Sequence, residues 1–434
     1  MDVEIQEIND KRILETSFSI IDTKETVLLI IYKLIIDFVY SQWISSYYSY
    51  WGMGSTFVAS KYIIITLVYI CVCCPFICRH IRHRKPSDYV ILIWDFMYFI
   101  PGFSYLSFEK CSTKYIVFYC MFYVAIIGIN ELVPIKRMHI SFDERISKLL
   151  IWILVSIVFV FWITYNGITI KIDLNDIYET RAKFRLADFP IIFRYLKNPM
   201  GNIIPMLIYI MIKKKKYIYC LILCVLQLGI FSMGAGKINF IFLMIAIGFT
   251  LVRVNSQIIA RGFEGISFIS LVCSIFSKRP LDNFVTDKLI RRMMITPNNL
   301  SWEYFRFFQS NDLLMFRSSL LKLVLDNPYD KPISYVIGDY IGTGANANNG
   351  LAGDAYANWG ILSIVIFSFL YFFLFFLLNM FSCNADEGVV ILASFIIAVV
   401  LIDSSFFTSL LTHGVILILL FLILYPYGMR KDNC

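Results

Sequence analysis

The stretch ILSIVIFSFLYFFLFFLLNMF, residues 361–381, is the longest guide to the fold of this chain that needs no further context, because it contains no charged residue. About 20 consecutive apolar residues in a helix are enough to cross a hydrocarbon core of about 30 Å. Backbone polar groups in lipid have to pair within the segment that carries them, so an apolar run of this length is helical. The stretch therefore predicts a membrane-spanning helix.

The same apolar character extends over the whole sequence. Of the 434 residues, 59% are hydrophobic and only 16% are charged, whereas soluble domains carry roughly 25% charged residues. The apolar runs predict an all-α polytopic membrane bundle of about twelve transmembrane helices. Their expected bounds are 27–45, 56–77, 88–106, 114–133, 148–166, 197–212, 217–235, 238–253, 263–278, 354–381, 388–404 and 411–428.

Basic residues alternate between the short loops. One set of loops is rich in lysine and arginine, over residues 79–85, 136–148 and 213–216. The segments WISSYYSYWGMGS, from Trp43, and DSSFFTSLLTHG, from Asp403, contain neither residue. The positive-inside rule and an even number of helices therefore place both termini in the cytoplasm. The net charge of +8 is expected to reflect this topology, so no nucleic-acid partner is predicted.

Two loops on the outer side are long, over about 167–196 and 279–353. The second contains FVTDKLIRRMM and WEYFRFFQSNDLLMFRSSLLKLVL, in which apolar residues recur at three- and four-residue spacing. We therefore expect a partly helical outer loop between helices 9 and 10. The expected organisation is a membrane domain with helices 1–9 over 1–278, the outer loop over 279–353, and a membrane domain with helices 10–12 over 354–434.

The outer loops are basic where topology alone favours neutral residues. The first contains Arg181, Arg185 and Arg194, and the second contains Arg291 and Arg292. A guanidinium group binds phosphate through a planar fork of donors, so these arginines are candidates for binding a lipid diphosphate or an acidic sugar. The alternative is that they contact only solvent and lipid head groups. Lys237, at the outer end of a helix, could contact phosphate or extend to the membrane surface.

Short polar side chains are concentrated just before helix 10. Asn348, Asn349, Asp354, Tyr356 and Asn358 provide amide, carboxylate and hydroxyl groups that suit the paired donors and acceptors of sugar hydroxyls. Asp354 could instead cap the helix that follows.

His413 lies at the outer end of the last helix. It is a candidate general base or phosphate ligand, or a structural residue at the membrane surface.

Charged residues inside the apolar runs are few. Lys33 and Asp37 are four residues apart and are expected to pair on one helix face, and Asp95 lies within helix 3. Such groups would also suit an ion-coupled transporter. The cysteines of TLVYICVCCPFIC, from Thr66, lack the paired spacing of a zinc site, so we predict no metal and no cofactor.

Four stretches resemble the bacterial O-antigen polymerase family, the oligosaccharide repeat-unit polymerases. They are NDIYETRAKFR from Asn175, LQLGIFSMGAGKINFIFL from Leu226, NNLSWEYFRFFQSN from Asn298 and NANNGLAGDAYANWGILSIVIF from Asn346. The last resembles the junction between the family's outer loop and the next helix, and is the most specific. The family's arginine–glycine spacing is absent, so the choice among the outer-loop arginines stays open.

The resemblance implies a metal-independent membrane glycosyltransferase at the outer face of the bacterial inner membrane. Such an enzyme transfers a growing glycan from undecaprenyl diphosphate to the hydroxyl of a new lipid-linked repeat unit. Arg181, Arg291, Asp354 and His413 are then the candidate catalytic residues. Residues expected to bind substrate are Tyr178, Arg185, Lys237, Arg292, Glu303, Asn348, Asn349, Tyr356 and Asn358, and Glu303 is also a candidate base.

The expected partners are the undecaprenyl-diphosphate-linked oligosaccharide, the lipid bilayer and a chain-length regulator. Two other functions are compatible with the sequence: a flippase or exporter of lipid-linked oligosaccharide, and a ligase. A transporter is expected to place polar residues in its helices and to keep its loops short. The polar groups here gather in outer loops, which favours the polymerase.

Overall fold

The computed structural model describes residues 23–82, 85–134, 143–167, 190–234, 237–277, 279, 283–383 and 385–424. These residues are predominantly helical and contain no β-strand, in agreement with the expected all-α class. The main helices are α1 Thr23–Tyr47, α2 Ala59–Arg82, α3 Pro86–Phe108, α4 Thr113–Leu132, α5 Glu144–Asn166, α6 Ile191–Lys213, α7 Tyr217–Gly234, α8 Lys237–Leu251, α9 Ser256–Phe276, α10 Val285–Ile295, α11 Thr296–Phe308, α12 Ile333–Tyr340, α13 Leu351–Trp359, α14 Ser363–Phe381, α15 Glu387–Asp403, α16 Phe406–Leu411 and α17 Val415–Leu424.

Within the described residues, 8 helical stretches are long and apolar enough to cross a membrane, and two further apolar helices are shorter. Many side chains on these helices are apolar and exposed, such as Phe276 at 83% and Phe369 at 59%, as expected for surfaces that face lipid. The chain is therefore a multi-pass helical membrane protein. The count of about twelve spans and the side of the termini remain predictions.

Two glycines break helices that the sequence predicted to be continuous. Gly360, with a φ of +53°, separates α13 from α14, and Gly414, with a φ of +77°, separates α16 from α17. Both conformations are left-handed, which glycine adopts without a steric penalty. A Cβ at position 414 would lie 2.3 Å from the Cβ of Pro199, so the close packing there also requires glycine.

One compact unit consists of α1, α2, the second part of α3, most of α9, and α10. Four of its segments are π-helical: Tyr40–Ile44, Tyr69–Cys73, Asp95–Phe99 and Val285–Ile295. Each wider turn re-aims the side chains that follow it, and such turns are frequent at functional sites.

This first unit also buries ion pairs in its apolar helices. The Lys33 ammonium lies 2.7 Å from a carboxylate oxygen of Asp37, which confirms the predicted pair, and the Tyr62 hydroxyl donates to the same oxygen at 2.8 Å. The imidazole Nδ1 of His80 lies 3.2 Å from Asp95, and both side chains are fully buried. Pairing of this kind is what makes charge tolerable in hydrocarbon.

The second unit contains the first part of α3, then α4 to α8, and α11 to α17. The described residues of the long loop, from Thr296 onward, fold here on an aromatic core of their own. This core contains Tyr304, Phe307, Phe308, Leu314, Ile337, Ala347 and Ala357. The Tyr304 hydroxyl donates to the carbonyl of Ala347 at 3.0 Å, which ties α11 to the chain before α13. The described part of this segment therefore packs around its own aromatic core.

Candidate functional site

Arg291 on α10 lies in an aromatic cluster of the first unit. Its guanidinium lies 4.2 Å from the ring centre of Tyr48 and 5.7 Å from that of Trp51. Its Nε donates to Asp287 at 2.6 Å. Only 7% of the Arg291 side chain is exposed. We call Tyr48, Trp51, Asp287, Lys288 and Arg291 the Arg291 cluster.

The carboxylate of Asp287 is the centre of this cluster. It accepts from Arg291, from Lys288 and, at 2.6 Å, from the Tyr48 hydroxyl. Burial alone would raise the pKa of Asp287, but these three hydrogen bonds to its charged form hold the pKa below its ordinary value. Asp287 is therefore a fixed anion, and it holds Arg291 in place.

A second arginine, Arg306 on α11, has a similar setting in the second unit. Its guanidinium lies 5.9 Å from the ring centre of Trp302 and 5.9 Å from that of Tyr340. Its Nη1 donates to both carboxylate oxygens of Glu303, at 3.1 and 3.0 Å. Unlike Arg291, Arg306 has 47% of its side chain exposed. We call Trp302, Glu303, Arg306 and Tyr340 the Arg306 cluster.

Glu303 is the titratable group of the Arg306 cluster. Burial raises its pKa above the ordinary value for glutamate, and the nearby Arg306 charge offsets this only in part. A carboxylate with a raised pKa accepts a proton more readily, which is what a general base requires. Glu303 was predicted to bind substrate or act as a base, and the structure pairs it with Arg306, whose guanidinium lies near the two aromatic rings.

Asp354 and Asn358 have a different setting, in which they join three parts of the second unit. One carboxylate oxygen of Asp354 accepts from the Asn358 amide at 3.0 Å, and the other accepts from the backbone N–H of Phe406 at 2.8 Å. The Asn358 oxygen accepts from the backbone N–H of Phe316 at 2.9 Å. Both side chains are buried, so this arrangement favours the capping role for Asp354, although the helix it caps is α16.

The hydrogen bonds of Asp354 and Asn358 support a backbone segment with left-handed dihedral angles. Met315 and Phe316 are non-glycine residues with left-handed φ values of 47° and 61°. Their conformation is held by the Asn358 side chain and by hydrogen bonds from the backbone N–H groups of Leu314 and Met315 to the carbonyls of α13. Strained backbone persists only where its surroundings determine it in this way.

The other polar residues before helix 10 divide into buried and exposed groups. Asn349 is buried and donates to the Ser301 hydroxyl at 2.9 Å, whereas Asn348 is exposed. Tyr356 packs its ring 4.2 Å from that of Phe305. A Cβ at Gly350 would lie 1.9 Å from the carbonyl oxygen of Leu401, so this glycine permits a close backbone approach.

His413 lies between α16 and α17. Its Nε2 is 3.1 Å from the Ser404 hydroxyl, and its backbone carbonyl accepts from the Asn202 amide at 2.7 Å. These contacts join three chain segments and favour the structural alternative for His413.

Several predicted site residues lie outside the part of the chain that the structure describes. These are Tyr178, Arg181 and Arg185. Lys237 begins α8, but its side chain is outside the description, as is that of Arg194. Arg292 is exposed on α10, next to Arg291.

Sequence reasoning missed the two aromatic clusters as units. The available signal was an acidic residue about one helical turn before each arginine, as in Asp287 before Arg291 and Glu303 before Arg306. The rings of Tyr48 and Tyr340 come from distant parts of the sequence, where spacing gives no indication. Among the described residues, no three histidine, cysteine or acidic side chains are grouped to hold a metal ion.

Comparison of the chain with family models, with curated proteins and with solved structures gives no match. The fold defines the class as a multi-pass helical membrane protein.

Proposed function

We propose that the chain is a membrane glycosyltransferase that polymerises lipid-linked oligosaccharide repeat units. The observation that carries the proposal is the Arg306 cluster, in which Trp302 and Tyr340 flank an exposed guanidinium paired with a buried carboxylate. Aromatic rings pack against the apolar faces of sugars, and charged side chains bind their hydroxyls. The four sequence stretches that resemble the polymerase family give further support, since one of them contains Trp302, Glu303 and Arg306.

In the proposed reaction, the nascent glycan is carried on undecaprenyl diphosphate. The bond from the anomeric carbon to the diphosphate oxygen breaks, and a bond from that carbon to a hydroxyl oxygen of the new repeat unit forms. Glu303 takes the hydroxyl proton, which its raised pKa favours. Arg306 stabilises the negative charge that develops on the departing diphosphate.

The ion pair between Glu303 and Arg306 suits this division of roles. Without substrate, the half-exposed Arg306 and the buried Glu303 neutralise each other. When a phosphate approaches the guanidinium, Arg306 exchanges its carboxylate partner for the phosphate, and the Glu303 carboxylate is released to accept a hydrogen bond from the attacking hydroxyl. Arg306 is half exposed, so this exchange requires little rearrangement.

A second candidate function is a flippase or exporter of lipid-linked oligosaccharide. The buried pairs Lys33–Asp37 and His80–Asp95 favour it, because ionisable groups within apolar helices are typical of ion-coupled transport. Both pairs lie in the first unit, whereas the Arg306 cluster lies in the second. Loss of either function would alter surface glycan, but in different ways.

The test is deletion of the gene in its host, followed by gel separation of the surface glycan. Loss of polymerisation leaves surface molecules capped with a single repeat unit, because export and ligation continue. Restoration of long chains by the wild-type gene, but not by a gene encoding E303Q, ties the effect to the Arg306 cluster. Complete loss of surface glycan in the deletion strain would overturn the proposal in favour of flipping or ligation.

A further inference from the structure

A cavity of about 160 Å³ opens among α5, α6, α7 and α17 of the second unit. A single water needs only about 10–15 Å³ of such space, so the cavity accommodates a larger polar group. Three lysines and three aromatic residues contribute to its lining, and these are Lys148, Lys214, Lys216, Trp152, Tyr219 and Phe421. Cationic and aromatic side chains therefore line the same cavity.

The cations around the cavity outnumber the anions beside them. Lys148 forms an ion pair with Glu144 at 2.5 Å, but Lys214 and Lys216 form no ion pair within the described residues. Burial lowers the pKa of Lys214, and the charges of Lys148 and Lys216 lower it further, against the opposing effect of Glu144. An anion in the cavity would relieve this repulsion.

The turn between α6 and α7 directs alternate lysines of the run KKKK, residues 213–216, to different places. Lys214 and Lys216 line the cavity. Lys213 instead lies 5.6 Å from the ring centre of Tyr209 and donates to the carbonyl of Thr250 at 3.4 Å. Lys215, with a left-handed φ of 56°, forms the turn and does not line the cavity. The two lysines at the cavity are thus distinguished from their neighbours by geometry.

A shallow, open apolar groove of about 450 Å³ lies along one face of α5 and adjoins this cavity at Trp152. It runs past Leu149, Ile153, Val160 and Phe161, and shares Trp152 with the cavity. The ring of Trp152 lies 5.5 Å from that of Tyr219, and such aromatic residues are typical of the level of lipid head groups. A cationic cavity joined to an apolar groove is complementary to an anion with an acyl chain.

We infer that the cavity binds an anionic phospholipid of the surrounding membrane, with its phosphate among Lys148, Lys214 and Lys216 and an acyl chain along α5. Basic pockets between helices on the cytoplasmic side are a known form of lipid site. Positive charge in these loops places this end of the helices on that side. The inference does not depend on the proposed glycosyltransferase activity, since it requires only insertion in a membrane.

The test uses the full-length protein purified in detergent, and native mass spectrometry to count bound lipid. The probes are phosphatidylglycerol and phosphatidylcholine, each added alone, and inorganic phosphate as a competitor. We expect retention of phosphatidylglycerol and not of phosphatidylcholine. In the variant K214Q/K216Q we expect phosphatidylglycerol binding to weaken by about 30-fold, from the removal of two basic residues near a lipid head group.

The matched control is K213Q/K215Q, which removes the same charge from the same run at lysines that do not line the cavity and is expected to weaken binding far less. A third variant, E144Q, frees Lys148 from its carboxylate and is expected to strengthen binding by about fivefold, a gain that misfolding cannot produce. Equal weakening in both double variants, equal binding of the two lipids, or displacement by millimolar inorganic phosphate would each overturn the inference. The last result would identify a site for a soluble anion.

Discussion

The Arg291 and Arg306 clusters contain the same kinds of residue, but the pKa values of their carboxylates shift in opposite directions. In each, an arginine lies near two aromatic rings and pairs with a carboxylate about one turn earlier in the helix. Asp287 has three donors and a lowered pKa, whereas Glu303 has one donor, Arg306, and a raised pKa. Exposure of the arginine side chains differs in parallel, at 7% for Arg291 and 47% for Arg306.

In these two clusters, the number of hydrogen-bond donors around the carboxylate distinguishes a fixed anion from a group that can exchange its proton. A carboxylate with many donors is held as an anion and fixes the structure around it. A buried carboxylate with one donor can exchange its proton and its partner. We therefore assign a structural role to the Arg291 cluster and the proposed chemistry to the Arg306 cluster.

The largest effect is expected from the substitution E303Q. Glutamine keeps the size of the side chain but cannot accept the proton, so we expect polymerisation to slow by about 10²–10⁴-fold. The measurement is the length distribution of glycans made by purified protein in proteoliposomes from lipid-linked repeat units. The matched control is K331Q/D339N, which removes an exposed ion pair of the same loop. Similar loss in the control would refute a specific role for Glu303.

The next effect concerns the stability of the Arg291 cluster. D287N leaves the buried Arg291 without its carboxylate, and breaking a buried pair costs about 3–5 kcal/mol. We expect a clearly lower thermal unfolding temperature in detergent. D339N, at an exposed ion pair, is the control and should change the free energy of unfolding by less than about 0.5 kcal/mol. If D287N were as stable as the control, the proposed structural role would be wrong.

A smaller loss of stability is expected when the hydrogen bonds between Asp354, Asn358 and Phe316 are removed. N358A leaves the backbone N–H of Phe316 and an oxygen of Asp354 without their amide partner, at a cost of about 1–3 kcal/mol. Hydrogen exchange at Phe316 should accelerate, while N348A, at an exposed site, should leave it unchanged. Polymerisation per folded molecule should be similar in both variants. A specific loss of activity in D354N with normal exchange would restore Asp354 as the catalytic base.

The sequence predicts the all-helical, multi-pass class because uncharged runs such as 361–381 have a single stable arrangement in lipid. It also predicts the Lys33–Asp37 pair, since one helix turn brings the two side chains together. The Arg291 cluster was beyond prediction, because Tyr48 and Asp287 are 239 residues apart and only tertiary packing joins them. For the same reason, the sequence offers only the following helix as one that Asp354 could cap, whereas its carboxylate accepts from the first residue of α16.

The smallest effect is a shift in pH dependence, and it separates the two clusters most directly. Because the pKa of Glu303 is raised, polymerisation should decline on acidification through that pKa, which lies above the ordinary range of glutamate. Asp287 has a lowered pKa, so the stability it contributes is present above its unfolded pKa and is lost only as the pH falls through its lower folded value. Activity should therefore decline while the protein stays folded.

In R306Q, the charge that lowers the pKa of Glu303 is absent, so the decline in the residual activity should begin at a higher pH. Rates and unfolding temperatures measured across the same pH series test both statements, and a decline that coincides with unfolding, or an unchanged profile in R306Q, would contradict the assignment of Glu303 as the base.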